Sequence, residues 1–128
     1  MIESINLQLN KDNRGSLYSL NELPFSISRI FLLNDLTNNS TRGGHAHHQL
    51  QEILICLEGY FDLLLVDKKV RTKIRVNKNL SKGYIIPPNN WRELSNFSSN
   101  CLVLSLCSHP LNETDYIRDF NEFINNTI

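Results

Sequence analysis

Apolar residues recur along this chain in short runs, with polar residues and turn formers between them. Ile5, Leu7 and Leu9 alternate with polar neighbours, the period-two pattern of a strand with one buried face. Asp12-Asn13-Arg14-Gly15 predicts a turn, and Leu17–Leu20 a strand behind it. Ile30–Leu33 and Ile53–Leu57 read as buried strands, separated by a loop over Asp35–Gly44 that is rich in Asn, Thr and Gly. Phe61–Val66 and Val70–Val76 flank Asp67-Lys68-Lys69 and predict a hairpin. Gly83–Ile86 leads into the rigid turn Pro87-Pro88-Asn89-Asn90. Trp91–Phe97 and Cys101–Cys107 flank Ser98-Ser99-Asn100. Many short strands at this spacing predict a sandwich or barrel.

The period changes near the end. Tyr116, Ile117, Phe120, Phe123 and Ile124 fall at helical spacing. Asn112 is suited to cap such a helix, with Glu113 and Asp115 in its first turn, where the helix dipole favours anions. The expectation is an all-β domain with one short C-terminal helix, Tyr116 and Phe120 packing into the core.

Composition narrows the class. The chain has 128 residues, 41% hydrophobic and 20% charged, which suits one domain over residues 1–128 with a packed core. Lys plus Arg and Asp plus Glu balance at 13 each. That balance gives no general field for a polyanion, so nucleic acid and membrane surfaces are poor partners. The first residues carry no basic region followed by an apolar run. No apolar stretch approaches the roughly 20 residues of a membrane span. Cys56, Cys101 and Cys107 form no CxxC pair and sit among Leu, Ile and Val. They read as buried free thiols, which points to a reducing compartment, the cytoplasm.

Three of the four histidines lie in Arg42-Gly43-Gly44-His45-Ala46-His47-His48. On a strand, residues two apart share a face, so His45 and His47 point the same way and Ala46 points opposite. Two adjacent imidazoles make poor core, because their ring nitrogens need partners. They suit metal binding or proton transfer. Glu52 and Gly59 follow at spacing His-x-His-x4-Glu-x6-Gly. This is similar to the first motif of the cupins, small double-stranded β-helix barrels of the jelly-roll kind. In metal-binding cupins the two histidines and the glutamate are ligands, and a second motif adds a histidine. In the region resembling that second motif, Gly83 to Arg92, the histidine position holds Arg92. A guanidinium stays protonated and places a cation where a cation would bind.

From Asp12 to Phe123 the chain resembles one cupin family, the WxcM-like nucleotide-sugar 3,4-ketoisomerases. The matching pieces are Arg14-Gly15-Ser16-Leu17, Pro24-Phe25-Ser26-Ile27, Arg42-Gly43-Gly44-His45-Ala46-His47, Trp91 with Glu93, and Asp115-Tyr116-Ile117-Arg118 followed by Phe123. Where the family usually has Gln, this chain has Glu52. The resemblance implies a jelly-roll homodimer with an exchanged N-terminal strand. It implies a site without metal or other cofactor, in which the two histidines act on a dTDP-linked 4-keto-6-deoxy sugar.

On that reading His47 is the carbon base and His45 the proton shuttle on the oxygen side, histidine suiting both with its unperturbed pKa of ~6.5. Glu52 is placed to orient an imidazole. Arg42, Arg14 and Arg29 are candidates for the diphosphate. Trp91 is a candidate to stack on the thymine or cover the sugar. His48 and His109 read as surface residues. Two other readings stay open: a metal-dependent cupin using His45, His47 and Glu52, and a sugar-nucleotide binding module without catalysis.

Overall fold

The computed structural model describes residues 2–126. The strands are β1 (Ser4–Asn6), β2 (Gln8–Asp12), β3 (Gly15–Ser19), β4 (Arg29–Leu33), β5 (Arg42–His47) and β6 (Glu52–Glu58). They continue with β7 (Tyr60–Asp67), β8 (Val70–Asn77), β9 (Lys82–Ile86), β10 (Asn90–Ser95), β11 (Leu102–Cys107) and β12 (Tyr116–Ile117). One helix, α1 (Phe120–Asn126), follows. Two five-stranded antiparallel sheets, ordered β1-β9-β6-β11-β4 and β12-β5-β10-β7-β8, form the sandwich, and β2-β3 stands apart as a hairpin. This is the jelly-roll arrangement expected of a cupin.

Alternation along the strands sorts side chains into layers. Leu54 and Cys56 of β6, Phe61, Leu63 and Leu65 of β7 and Val103 of β11 meet between the sheets in the main core. Their neighbours point the other way. Ile53 and Ile55 are buried on the outer face of the first sheet beneath Ile5, Leu7, Leu20, Leu23 and Phe25. β6 is therefore covered on both faces, which is why it reads as an unbroken apolar run. On the outer face of the second sheet, Ala46, Val66 and Trp91 pack with Ile117 and Phe123. The three cysteines are free and buried. Burial, reinforced by Cys101, pushes the Cys56 thiol up to about 12, so it behaves as a small apolar side chain.

The C-terminal segment departs from the expected single helix. Asn112 caps only a 3₁₀ turn over Glu113–Asp115, its side chain accepting from the Thr114 amide. The chain then extends, and Tyr116 and Ile117 pair with His47 and Ala46 of β5. The helix starts later, where the Asp119 carboxylate accepts from the Glu122 amide at 3.0 Å. The apparent helical spacing joins two patterns. Ile117 points to the outer core as a strand residue, and Phe120, Phe123 and Ile124 form the true helical stripe. Tyr116 is not core: it faces the opposite way from Ile117 and lines the main cavity. Among the described residues no helix is long and apolar enough to cross a membrane.

Candidate active site

Between the sheets, at the end formed by β4, β5 and β10, lies a cavity of about 290 Å³. His45 and His47 line it with Arg29, Arg42, Glu52, Arg92 and Tyr116. Local backbone geometry aims the histidines inward. Gly43 and Gly44 both take positive φ, +83° and +72°, where a Cβ is penalised. They fall at a register irregularity between β5 and β10, next to the pairing of His45 with Arg92. A Cβ on Gly43 would lie 2.8 Å from the Arg92 carbonyl oxygen. Gly43 thus lets β5 approach β10 closely, and the two positive-φ residues together set which residues of β5 face the interior.

The two imidazoles meet edge to face with centroids 4.8 Å apart. The Tyr116 ring packs against both, at 4.8 Å from His45 and 4.3 Å from His47. Arg118 lies over the Tyr116 ring, 4.2 Å from its centroid, and is ion-paired with Glu113. His47 is 3% exposed, and its Nδ1 is 3.2 Å from the Asp115 carboxylate. Burial drives His47 down to about 4, helped by the charge on Arg92 and opposed by Asp115. Burial, Arg92 and His47 together drive His45 down to about 3. Both rings are therefore neutral at pH 7, and the His47–Asp115 contact is a charge-assisted hydrogen bond rather than an ion pair.

Beneath the histidines sits a buried ionic network. Arg92 is 1% exposed and donates from Nη1 to Glu52 at 3.0 Å and from Nη2 to the Asn90 carbonyl at 2.9 Å. The Ser105 hydroxyl donates to the other Glu52 oxygen. Burial pulls the pKa of Arg92 below its usual value and Glu52 opposes that pull; the guanidinium remains protonated. Two buried polar atoms at this site, His45 Nδ1 and Arg92 Nε, lack a hydrogen bond of good geometry.

These placements correct several expectations. Glu52 is not the carboxylate beside an imidazole: its hydrogen bonds run to Arg92 and Ser105, and the carboxylate that reaches His47 belongs to Asp115. The same commitment makes the His45, His47 and Glu52 set a poor fit to a metal ion. Its carboxylate is held by a cation, and that cation occupies the cavity wall. Among the described residues no group of three His, Cys, Asp or Glu is arranged to hold a metal. Trp91 does not reach the cavity. Arg92 points inward, so its neighbour points outward, into the layer under α1, where the indole donates to Glu93 at 2.9 Å. Arg14 lies at the tip of the β2–β3 hairpin, paired with Asp12 and exposed, outside this cavity. Arg29 and Arg42 do line it, Arg29 held over the Phe31 ring at 4.8 Å.

As site residues Asp115 and Tyr116 are masked in the sequence, because their apolar neighbours suggest a helix. The available signal was the position of Asp115 beside Tyr116 and Ile117, whose alternation also fits a two-residue strand.

The two cavity histidines, His47 buried and His45 half-buried, set a pH dependence. Their pKa values in the folded chain, about 3 and about 4, lie below the unfolded value of ~6.5. Between pH 6.5 and 4 the unfolded chain binds protons that the folded chain refuses, so stability falls as pH falls through that window. Each histidine contributes a slope on the order of 1.4 kcal/mol per pH unit there and nothing above pH 7. Urea unfolding at pH 7 and pH 5 measures it. His45→Asn flattens the dependence, and equal slopes in variant and parent reject it.

The jelly-roll interior thus brings two histidines side by side in one cavity with the buried Arg92–Glu52 pair. The model of the WxcM-like, C-terminal (FdtA) family matches residues 1–127, and the chain belongs to that family. It is 36% identical over 122 residues to a TDP-4-oxo-6-deoxy-alpha-D-glucose-3,4-oxoisomerase of Aneurinibacillus thermoaerophilus, covering 93% of this chain and 87% of that one. It is similar to the structure of WlaRB, a TDP-quinovose 3,4-ketoisomerase of Campylobacter jejuni, with a TM-score of 0.90 and 38% identity over 98% of both chains. A mutant of the 3,4-ketoisomerase QdtA of Thermoanaerobacterium thermosaccharolyticum, solved with TDP-4-keto-6-deoxyglucose, superposes with a TM-score of 0.92. It is 31% identical, covering 98% of this chain and 93% of that one.

Proposed function

We propose that this protein is a sugar 3,4-ketoisomerase acting on TDP-4-keto-6-deoxyglucose. The observation that carries the reading is the pair of imidazoles side by side in one cavity, His47 buried and His45 half-buried. The reaction is two proton transfers at carbon. The C4 carbonyl acidifies the hydrogen on C3. His47 removes it, and O4 takes a proton by way of His45, giving the C3–C4 enediol. O3 then gives up its proton to form the new carbonyl, and C4 receives one. Hydrogens balance, and no electrons leave the sugar. A neutral ring can accept a proton at once, as the base role requires. Arg29 and Arg42, beside the histidines in the cavity wall, supply charge for the diphosphate. That diphosphate, once bound, raises the histidine pKa values towards the working range.

Incubation with TDP-4-keto-6-deoxyglucose in deuterated water tests the function. A 3-keto product carrying deuterium at C4 is expected. No 3-keto product and no exchange at C3 or C4 would reject it; nucleotide binding without exchange would identify a binding module instead.

The working form in this reading is a homodimer. Every residue of β2 is exposed, and among the described residues β2 and β3 pair only with each other. Leu17 of the hairpin is 60% exposed, as is Ile30 on the edge strand β4. An isolated two-stranded hairpin is marginal in water, and an apolar edge invites pairing. β1 pairs within the chain to β9, so the element available for exchange is the β2–β3 hairpin. Leu17→Lys is expected to convert a dimer to monomer in sedimentation velocity; a parent protein that sediments as a monomer at micromolar concentration overturns this.

A further inference from the structure

We propose that Asp115 is the positioning residue of the isomerisation: its carboxylate fixes His47 in the Nδ1–H tautomer and locks the ring in place against β5. This deepens the ketoisomerase reading and rests on it for the reaction, though not for the geometry.

Three bonds converge on this one side chain. Oδ2 lies 3.2 Å from His47 Nδ1 and also accepts from the Leu50 amide at 3.1 Å. Oδ1 accepts from the Gln49 amide at 2.9 Å. The Asp115 carbonyl accepts a further bond from the His48 amide at 2.9 Å. The carboxylate is thus tied to the backbone just past the histidine strand, and β12 continues the tie by pairing Tyr116 with His47. A carboxylate so anchored cannot turn away from the ring.

The tautomer follows from the donor inventory. An ionised carboxylate only accepts, so a neutral His47 must carry its proton on Nδ1 to bond with it. Nε2 is then the basic nitrogen, the one free to take a hydrogen from carbon. Without this acceptor a neutral imidazole is free to move its proton to Nε2, where it is useless as a base. Carboxylates behind catalytic or metal-bound imidazoles act in this way. Asparagine is the informative substitute because it keeps the shape. It has one acceptor oxygen where the structure asks for acceptors at both positions. Its NH₂ either faces the Gln49 amide or displaces the bond from His47.

Asp115→Asn is expected to lower kcat by roughly 10- to 100-fold. KM for the keto-sugar nucleotide stays within about twofold, since no contact to bound substrate is removed. Nitrogen-15 NMR of histidine-labelled protein without substrate gives the second reading. In the parent protein at pH 7 the His47 signals report a proton on Nδ1; in Asp115→Asn they shift towards the Nε2–H form. This arm needs no turnover, so it stands even if the ketoisomerase reading fails, and the parent spectrum stands even if the variant does not fold. A parent spectrum with the proton on Nε2 overturns the proposal. So does a folded Asp115→Asn protein with parental kcat. A loss of kcat with an unchanged tautomer also overturns it, leaving Asp115 as a brace for residues 48–50 alone.

Discussion

His47→Asn lowers kcat by roughly a hundred- to ten-thousand-fold, the range that positioned acid–base groups supply, and abolishes deuterium exchange at C3. Asparagine nearly matches the imidazole in reach but has no basic nitrogen. KM is expected to change little, because Arg29 and Arg42, the cations proposed for the diphosphate, stay in the cavity wall. His45→Asn behaves differently. With the carbon base intact, exchange at C3 continues while 3-keto product falls, because O4 and O3 lose their shuttle. Proton NMR in deuterated water separates the two cases. If His45→Asn stops exchange at C3 and His47→Asn does not, the two roles are reversed. If both variants turn over normally, the pair is not catalytic.

The second large effect is on stability. Arg92→Met leaves Glu52 buried, 6% exposed, with Ser105 as its remaining side-chain partner. Removing one member of a buried ion pair costs about 3–5 kcal/mol, because the other charge stays desolvated and unmatched. For a domain of this size that lowers Tm by roughly 10 °C or more. Glu52→Leu alone strands the guanidinium and costs a similar amount. The double variant Glu52→Leu/Arg92→Met recovers most of the loss, since two apolar side chains leave no charge behind. A double-mutant cycle by chemical denaturation measures the coupling. Single losses below about 1 kcal/mol, or fully additive effects, would show that the network is hydrated rather than sealed.

The β-framework was legible in the sequence because its signals are local. Alternation, the Lys68-Lys69 hairpin and the Pro87-Pro88 turn each depend on a few neighbouring residues. Placing His45 and His47 on one face needed only the two-residue strand period, and the structure brings the two rings into contact. What was not legible depends on pairing between distant segments. Asp115 reaches His47 across 68 residues of sequence, and no local pattern carries that information. The same limit applies to Glu52, whose partners Arg92 and Ser105 lie 40 and 53 residues away. For Trp91 a local rule is sufficient. Once Arg92 faces the interior, the strand period sends the indole to the other side. The C-terminal segment misled because Tyr116 and Ile117 sit one turn before a genuine amphipathic stripe. Spacing alone does not mark where a strand gives way to a helix.

The contact between Asp115 and His47 also bears on the order of folding. Sixty-eight positions separate the two side chains, so bringing them together closes a long loop and carries an entropic cost that a local contact does not. β12 pairs with β5, and His47 therefore gains its carboxylate neighbour only when that distant segment docks.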